Sequence, residues 1–497
     1  LLYKSGEENG CILKVNSNMK VEWEIGCYFD DEGMIELNNS EIIMHTLKGN
    51  ILKISKDGQI QSKIDAIQGK IVYTSTIYTS DGGKLGVGNI TGVFQIYADR
   101  TVNNKEIILD GENGKDKFAV VKYNSENKVE WARGFNWTTL VNMGSKIVET
   151  DDGYYFTVGI SSGFTVDAED TVDGKEISEQ YTSIDVIHLN KEGKIKNIVV
   201  MENQKNAPML KIDIAKGKNG IAVSIELYEE GLIIPAEYTA SGTEMAIMTD
   251  GSQDQLIVAI NKDGKAIWGH DISAAGNSWL GGITGTEDGG YIANGTFWWP
   301  ITFNANETVS GEIIKLTSTG AYDEALIKYN KDGLVEWAIN QGGTGRDYAE
   351  AISATSDNGF ISVGYFNSSN YTIPTEKTVK GEPIILNPVK GYDGFVTKYD
   401  ENHLVEWAIS IGGNSTVQIK KVIEIEDGYL VTGSFSGEIV IPAEKTANGT
   451  EIKFDVSASK LTPIIKLNKQ GLVERIFLES LAMRDYKDGK ILLGGYG

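Results

Sequence analysis

Apolar and polar residues alternate along the chain in short runs, and one such pattern returns many times. It is clearest in KYNKDGLVEWAI, which ends at Ile339, and in KYDENHLVEWAI, which ends at Ile409. Alternation every two residues is the period of a β-strand, and a turn such as 330–333 separates the two runs. Each copy therefore predicts a β-hairpin, and no stretch of the chain shows a competing helical period.

A second predicted hairpin lies between successive copies, as in AISATSDNGFISVGYF at 351–366. Each full unit then has four strands, which we name A, B, C and D in chain order. Six units carry an insert between B and C, such as YTIPTEKTVKGEPIIL at 371–386, and we expect it to form an extra hairpin. The unit at 34–65 has no such insert.

The first hairpin recurs with a nearly constant period. Its turn positions are separated by 39, 69, 66, 71, 69, 70 and 68 residues, and a fixed period is typical of repeat folds. Four short antiparallel strands repeated in this way predict the blades of a β-propeller, with eight blades preferred and seven as the alternative. We expect the C-terminal A–B pair to join the N-terminal C–D pair in one blade, which closes the ring and leaves the first strand, LLYKSG, unplaced.

We expect residues 1–497 to form a single all-β domain. Because LLYKSG has the pattern of a strand interior, we expect the chain to be a mature or trimmed part of a longer protein. The expected units are 1–30 (part of the closing blade), 31–66, 67–135, 136–202, 203–272, 273–341, 342–411, 412–478 and 479–497 (the rest of the closing blade).

Composition narrows the choice of partners. The chain has 46 basic and 69 acidic residues and a net charge of −23, and no basic stripe interrupts this acidity. Nucleic acid and anionic membrane surfaces are therefore unlikely partners on electrostatic grounds, and we expect neither. No apolar run approaches the ~20 residues of a membrane helix, so we also expect no membrane insertion.

Two cysteines flank the first predicted hairpin. Pairing around its turn sets Cys11 opposite residue 24, about three residues out of register with Cys27. A disulfide needs closely opposed Cα atoms, so we favour two free thiols, with a disulfide as the alternative.

Tryptophan and aspartate recur at fixed positions of the repeat. Strand alternation places Val335, Trp337 and Ile339 on one face, so we expect the repeat tryptophans to pack between blades. An Asp at the start of strand C can accept backbone N–H bonds from a tight turn, or a ring of such residues could hold Ca²⁺. Calcium needs six to eight converging oxygens, so we favour the structural interpretation and expect no cofactor. The aspartates are Asp116, Asp185, Asp254, Asp323 and Asp393.

Aromatic residues that depart from the repeat are the candidate ligand-binding residues. Trp279 lies in a D-to-A loop, and the run 297–299 follows strand B of the same blade. Because strand A leaves that loop and strand B returns towards it, both groups are expected at one face of the ring. Exposed aromatic patches usually mark contacts with other molecules, and the alternative is packing beneath the insert. The candidate set is Trp279, Phe297, Trp298, Trp299, Trp137, Arg346 and Tyr348, the last three from D-to-A loops of other blades.

Patterns that indicate catalysis are sparse. The four histidines lie in separate blades without metal-ligand spacing, and the 69 acidic residues single out no carboxylate pair. We therefore name no catalytic residue and lean towards a protein without enzymatic activity.

The repeat resembles the bacterial SBBP-type β-propeller repeats. The shared pattern is D-x-F/L-[IV]-x-K-Y-[ND]-x-x-G-x-[LV]-x-W, then GG and T-x-D-x-G-[YF]-x-[IV]-x-G, which here read DEALIKYNKDGLVEWAINQGG and ATSDNGFISVGYF. The resemblance covers nearly the whole chain, and the copies at 58–65 and 193–200 depart most because they lack the Trp. It implies a secreted or cell-surface protein of a bacterium.

These observations predict a surface or secreted binding or adhesion module that engages a glycan or protein ligand through one face of a propeller. Two alternatives stay open. One is a carbohydrate-active enzyme, a hydrolase or lyase, with carboxylates in the central channel. The other is a structural or assembly subunit of a larger surface protein, whose inserts contact other subunits.

Overall fold

The computed structural model describes most of the chain. The strands before Ile71 and after Phe477 are described by their backbone. The described residues are 2–6, 9–15, 21–27, 34–37, 41–45, 51–55, 60–64, 70–111, 117–137, 146–161, 163–179, 182–203, 209–228, 231–249, 253–272, 278–457, 462–479, 482–487 and 490–494.

Regular structure in these residues is almost entirely β-strand, as the alternating pattern predicts. Six helices are described, each a single 3-10 turn of three residues within one insert, at Ala98–Arg100, Ala168–Asp170, Ala236–Tyr238, Ala305–Glu307, Thr375–Lys377 and Ala443–Lys445. The chain divides into two compact units, Leu1–Glu202 with Leu478–Gly497, and Asn203–Phe477.

The first unit consists of antiparallel sheets and hairpins. A three-stranded sheet has the order β1 (Leu2–Gly6), β2 (Asn9–Val15), β3 (Val21–Cys27). A six-stranded sheet has the order β44 (Ala482–Lys487), β45 (Lys490–Gly494), β4 (Met34–Leu37), β5 (Glu41–His45), β6 (Ile51–Ser55), β7 (Ile60–Ile64). Two further runs of four paired strands are β8 (Lys70–Tyr78), β9 (Lys84–Thr91), β12 (Phe118–Tyr123), β13 (Val129–Phe135), and β14 (Ile147–Thr150), β15 (Gly153–Ile160), β18 (Ser183–Leu189), β19 (Ile195–Asn203). The insert hairpins are β10 (Val93–Ile96) with β11 (Ile107–Asp110), and β16 (Phe164–Val166) with β17 (Ile177–Glu179).

The second unit contains four consecutive runs of four paired strands. They are β20 (Met209–Gly217), β21 (Gly220–Tyr228), β24 (Gln253–Asn261), β25 (Ala266–Ile272); β26 (Ser278–Gly285), β27 (Tyr291–Phe297), β30 (Asp323–Tyr329), β31 (Val335–Gln341); β32 (Asp347–Ala354), β33 (Phe360–Phe366), β36 (Asp393–Tyr399), β37 (Val405–Gly413); and β38 (Val417–Ile425), β39 (Gly428–Phe435), β42 (Thr462–Asn468), β43 (Val473–Glu479). The insert hairpins are β22 (Leu232–Ile234) with β23 (Met245–Ile247), β28 (Ile301–Phe303) with β29 (Ile314–Leu316), β34 (Tyr371–Ile373) with β35 (Ile384–Leu386), and β40 (Glu438–Ile441) with β41 (Ile452–Asp455).

The strands of each such sheet follow the predicted order A, B, C, D, with strand A at one edge. Consecutive A strands of the second unit lie beside one another, since Lys211 Nζ of β20 donates to the Leu280 carbonyl of β26 at 3.0 Å and to the Glu350 carbonyl of β32 at 3.2 Å. Adjacent A strands at the inner edge of four-stranded sheets are the arrangement of propeller blades. The number of blades stays a prediction.

The hydrophobic core of the second unit lies between adjacent sheets. Leu326 of one sheet and Phe395 and Tyr399 of the next are fully buried in one cluster. Faces that are buried on both sides explain why strands such as β30 and β36 are buried along their whole length.

Pairing of the two chain ends differs from our prediction. The C-terminal hairpin joins β4 of the unit at 34–65, with Leu493 opposite Ile35, and not the pair at 9–27. The reason is that β1 already occupies the edge of β2, with Leu2 opposite Leu13. Strand β1, which the sequence analysis left unplaced, thus occupies the edge of β2 that we expected the C-terminal hairpin to join.

The register of the first hairpin also differs from our prediction. Cys11 lies opposite Gly26, and Cys27 lies opposite Gly10. A β-bulge between Lys14 and Val15 shifts the pairing relative to a regular two-residue turn. The state of the two thiols stays a prediction.

The six inserts form hairpins, as predicted. In the second unit one of them reaches across to its neighbour, because β40, from the unit at 412–478, pairs with β37 of the preceding sheet through Gly412–Val440 and Gly413–Ile439. Gly413 permits this approach, since a Cβ there would lie 1.9 Å from the Glu438 carbonyl.

The repeat tryptophans whose side chains are described pack between sheets, as expected. Trp268 Nε1 donates to the Lys331 carbonyl at 3.1 Å, and Gly333 of the same turn lies against the indole. Trp131 and Trp407 make the same bond to the turn carbonyls of Lys191 and Lys469. Trp337 instead stacks on His403, at 4.6 Å between ring centroids, because His403 occupies the positive-φ position that Gly193, Gly333 and Gly471 fill in the turns that contact the other three tryptophans.

A buried lysine of strand C recurs at the end of the sheets where the A–B and C–D turns lie, which we call the turn end. Lys328, whose side chain is 6% exposed, contacts Asp288 of the A–B turn at 2.8 Å and Glu336 of strand D at 3.5 Å. Two carboxylates thus compensate one buried ammonium group, an arrangement that we call the lysine triad. The other lysine triads are Lys122–Asp81–Glu130, Lys398–Asp357–Glu406 and Lys466–Asp427–Glu474, of which the last has a half-buried lysine.

Candidate functional site

The opposite end of the sheets, where the D–A and B–C loops lie, is the loop end, and it holds the candidate site. Trp279 lies near the start of β26, and Tyr348 lies opposite Tyr365 in the pair β32–β33. These strand ends and their loops bring together seven rings of two adjacent sheets. We call them the aromatic array, and they are Trp279, Trp298, Trp299, Tyr322, Tyr348, Tyr365 and Tyr392.

The rings of the array form a continuous chain of contacts. Tyr322 is at its centre, with its ring centroid 4.8 Å from that of Trp279, 5.6 Å from that of Trp298 and 5.4 Å from that of Tyr348. Tyr348 in turn stacks on Tyr365 at 4.8 Å. These separations are those of favourable aromatic pairs, so the array is a preorganised surface and not a set of independent side chains.

The array is open to solvent at one end. Trp298 and Trp299 are 48% and 49% exposed, with 6.0 Å between their ring centroids, whereas the other rings are half-buried. The alternative interpretation, in which these two indoles pack beneath the insert, does not agree with their exposure.

A single guanidinium lies over the array. Arg346 is exposed, its Cζ is 5.6 Å from the ring centroid of Tyr322, and it hydrogen-bonds to Tyr392. That hydrogen bond is the main cause that raises the pKa of Arg346, so its charge is permanent at any working pH.

Three buried aspartates hold the loops that present the array. In each case the carboxylate accepts the backbone N–H of the residue four positions earlier: Asp323 from Thr319 at 2.7 Å, Asp347 from Gly343 at 2.7 Å, and Asp393 from Val389 at 3.0 Å. Asp347 also accepts the Ser368 hydroxyl at 2.7 Å. These carboxylates position the loops from below and do not face the surface.

The same carboxylates have perturbed acidities. Burial raises the pKa of Asp347 to about 6, although hydrogen bonds from Ser368 and Gly343 lower it and nearby Asp323 raises it further. Burial likewise raises the pKa of Asp393 to about 6 and that of Glu324, in a neighbouring buried cluster, to about 7.

Of the aspartates that recur before or within strand C, Asp323 and Asp393 accept the loop N–H groups described above. Asp185, Asp254, Asp323 and Asp393 are at most 1% exposed and lie in four different sheets, while Asp116 lies outside the described residues. Within the described ranges there is no group of three or more His, Cys, Asp or Glu side chains that could hold a metal ion.

Two residues of the predicted set do not reach the surface. Trp137 is 1% exposed and stacks on Phe135 at 4.3 Å and Phe118 at 5.6 Å, and Phe297 is fully buried in the core between sheets. Both side chains point into the apolar layer of their sheet, which position along the chain does not reveal. The structure brings together five others of the set, which are Trp279, Trp298, Trp299, Arg346 and Tyr348.

Three members of the array were missing from the predicted set: Tyr322, Tyr365 and Tyr392. A signal existed for two of them, because Tyr322 and Tyr392 each directly precede the recurrent Asp of strand C, where the earlier units have Lys115, Ile184 and Gln253. Departures from the repeat at equivalent positions of two adjacent units thus indicated a shared surface.

Comparisons with known proteins concern the fold. No protein-family model matches the chain, so the SBBP resemblance stays a prediction. The chain is similar to an uncharacterized WD repeat-containing protein of Acanthamoeba polyphaga mimivirus, with 26% identity over 166 residues, and it covers 12% of that protein. Taken with the repeated four-stranded sheets, this identifies a propeller-type repeat fold.

Solved structures to which the chain is similar include the Dos1 propeller, with a TM-score of 0.38, 6% identity and coverage of 97% of this chain and 81% of that one. BamB from Moraxella catarrhalis has a TM-score of 0.35 at 10% identity, over 86% of this chain and 100% of that one. An ulvan lyase, a polysaccharide lyase, has a TM-score of 0.34 at 10% identity, over 82% and 92%. No helix in the described part of the chain is long and apolar enough to span a membrane.

Proposed function

We propose that this protein is a binding module that engages a glycan or protein ligand through the aromatic array at the loop end of its sheets. The observation that carries the proposal is the half-exposed Trp298–Trp299 pair, which continues into rings already fixed by their neighbours. Rigid Trp and Tyr side chains with one Arg are the composition of binding hot spots.

The secreted or cell-surface setting is part of this proposal, and its support is the SBBP-type repeat pattern. Binding is favoured over glycoside hydrolysis because three carboxyl groups next to the array, those of Asp323, Asp347 and Asp393, are buried and engaged by loop amides. A glycoside hydrolase commonly needs two carboxyl groups that reach the substrate.

A glycan array and a surface-protein array, probed with the full chain and with a Trp298→Ala/Trp299→Ala variant, test the proposal. We expect the variant to lose at least tenfold in affinity for any ligand that the native chain binds, because truncating a hot-spot Trp commonly costs about 2 kcal/mol or more. Both indoles are half-exposed, so stability should change little.

The matched control is Ile313→Ala/Ile385→Ala, which removes two exposed apolar side chains from the inserts of the same two sheets. Its binding should equal that of the native chain. Equal affinities of the native chain and the tryptophan variant would overturn the proposal.

A further inference from the structure

The charge of the loop end differs from that of the rest of the chain. The five loops around the array, 298–300, 317–322, 342–346, 367–370 and 387–392, contain no Asp or Glu in a protein that has 69 of them. They contain two basic residues, Arg346 and Lys390, both exposed. An acidic ligand that the rest of the surface repels can therefore approach here.

The turn end of the same sheets is acidic. Its A–B turns carry Asp288, Asp357 and Asp427, and its C–D turns carry Asp332 and Asp400. Charge in the sheets that carry the array is thus separated along the strands, which favours an anion at their loop end over their turn end.

The chemistry of the array favours a sugar polymer over a peptide. The array presents flat indole and phenol faces together with phenolic hydroxyls, and the loops supply Asn, Ser and Thr side chains, such as Ser318, Thr344 and Asn367. A pyranose ring presents the matching surfaces, an apolar C–H face and a rim of hydroxyls. Tyr and Trp satisfy both at once because each has an apolar body and a polar tip.

Arg346 supplies a positive charge and free N–H donors, which an anionic group on the ligand can use and a neutral sugar cannot use fully. Its guanidinium has five N–H donors in one plane, more than the hydroxyl of Tyr392 takes up, and a carboxylate or sulfate accepts such donors in pairs. Its side chain is held over Tyr322, so less conformational freedom is lost on binding.

We infer that the ligand is an acidic glycan, whose apolar sugar faces stack on the Trp298–Trp299 end of the array and whose carboxylate or sulfate pairs with Arg346. This inference rests on the proposed function and specifies its ligand class. Neutral glycans and peptides are the competing occupants that its test separates.

The experiment measures affinity for polygalacturonate, alginate and hyaluronan, each beside its carboxyl-reduced form, and for dextran sulfate beside dextran, at low and at high salt. We expect at least one acidic polymer to bind at least tenfold more tightly than its neutral partner at low salt, with the difference reduced at high salt. A preference among the uronates or for the sulfate identifies the anion.

The test variant is Arg346→Gln, and the control is Arg475→Gln, which removes the only matching exposed pair of the described second unit, an Arg 5.7 Å from the ring centroid of Phe477. We expect Arg346→Gln to lower affinity for the acidic polymer to that for its neutral form, and Arg475→Gln to leave it unchanged.

The outcomes separate this inference from the proposed function. Equal affinity for acidic and neutral forms, lost in Trp298→Ala/Trp299→Ala, overturns the acidic ligand and leaves the binding face standing. Binding of an acidic polymer that neither the tryptophan variant nor Arg346→Gln weakens overturns both. If none of these polymers binds and the surface-protein array yields a protein ligand, the acidic glycan is also overturned.

Discussion

The two ends of the sheets in the second unit are built from different kinds of sequence. At the turn end the same chemistry returns from sheet to sheet, with a buried lysine between two carboxylates and a tryptophan bonded to the next turn. At the loop end the residue type changes from sheet to sheet, and Trp279 and Trp298 of one sheet correspond to Tyr348 and Asn367 of the next. What repeats holds the sheets together, and what departs from the repeat forms a surface.

One sheet of the second unit lacks all three members of the lysine triad. In the sheet of β24 and β25, Ala259 stands at the position of Lys328 and Ile267 at that of Glu336, as the shared register against Trp268 and Trp337 shows. The A–B turn there, 218–219, also has no acidic residue. All three charges are replaced together, which is expected where a buried charge without its partners is costly.

The largest expected effect comes from breaking one lysine triad. In Asp357→Asn/Glu406→Gln, Lys398 keeps its 1% exposure but loses both carboxylates. We expect the free energy of unfolding to fall by about 3 kcal/mol, as measured by urea denaturation, because a buried charge is left uncompensated. Ligand affinity at the loop end should not change.

The control for this variant is Asp332→Asn, which breaks the exposed pair between Asp332 and Lys331 and should cost less than about 0.5 kcal/mol. Similar losses in the two variants would contradict a special role for the lysine triad.

A second prediction uses pH to separate the two ends. Burial raises the pKa of Asp347 to about 6 from 3.8, so between pH 4 and pH 6 the folded state binds more protons than the unfolded state. Its contribution to stability is present below pH 4 and is lost as the pH rises through 6. We expect Asp347→Asn to flatten that decline by about 2 kcal/mol in urea denaturation followed across pH.

Asp288 at the turn end should behave in the opposite way. Partial burial raises its pKa, but hydrogen bonds from Lys328, Thr286 and Gly290 outweigh this and lower it overall. Its contribution is present above pH 4 and is lost as the pH falls through the lowered pKa. A variant Asp288→Asn that altered the profile between pH 4 and 6 would contradict this separation.

The smallest effect sharpens the role of the repeat tryptophans. Trp407→Phe keeps a ring but removes the Nε1 bond to the Lys469 carbonyl at 3.0 Å, which should cost about 1 kcal/mol in thermal or urea denaturation. Trp337→Phe, at the turn where His403 replaces Gly, should cost less, since its indole stacks on an imidazole. Equal losses would show that the bond contributes little.

The fold could be predicted from sequence because its signals are local and repeated. Two-residue alternation gives the strands, Gly333 and its equivalents give the turns, and the insert motif gives its hairpin. Pairing of the chain ends could not be predicted in the same way. Whether β45 meets β2 or β4 depends on which edge is already occupied, and β1 decides that through contacts of its own.

The candidate site could be predicted in part for a similar reason. Loop position placed Trp298 and Trp299 correctly, because residues beyond a strand end leave the sheet. Trp137 and Phe297 also lie at or next to the end of a strand, but their rings are buried in the core. The sequence pattern does not show whether a side chain at a strand end points into the core or into solvent. The lysine triads were missed because the Asp and the Lys of each are about 40 residues apart along the chain.

The hairpin β40–β41 belongs to one unit of the sequence repeat and pairs with the sheet of the preceding unit. The segment 412–478 contributes the hairpin β40–β41 to the sheet of 342–411. The boundaries of that sheet therefore do not coincide with the boundaries of the repeat in the sequence. If the unit at 342–411 were transplanted alone, it would arrive without the hairpin that completes its sheet. A module taken from this region should therefore extend past Asp455, where β41 ends, so that the sheet keeps that hairpin.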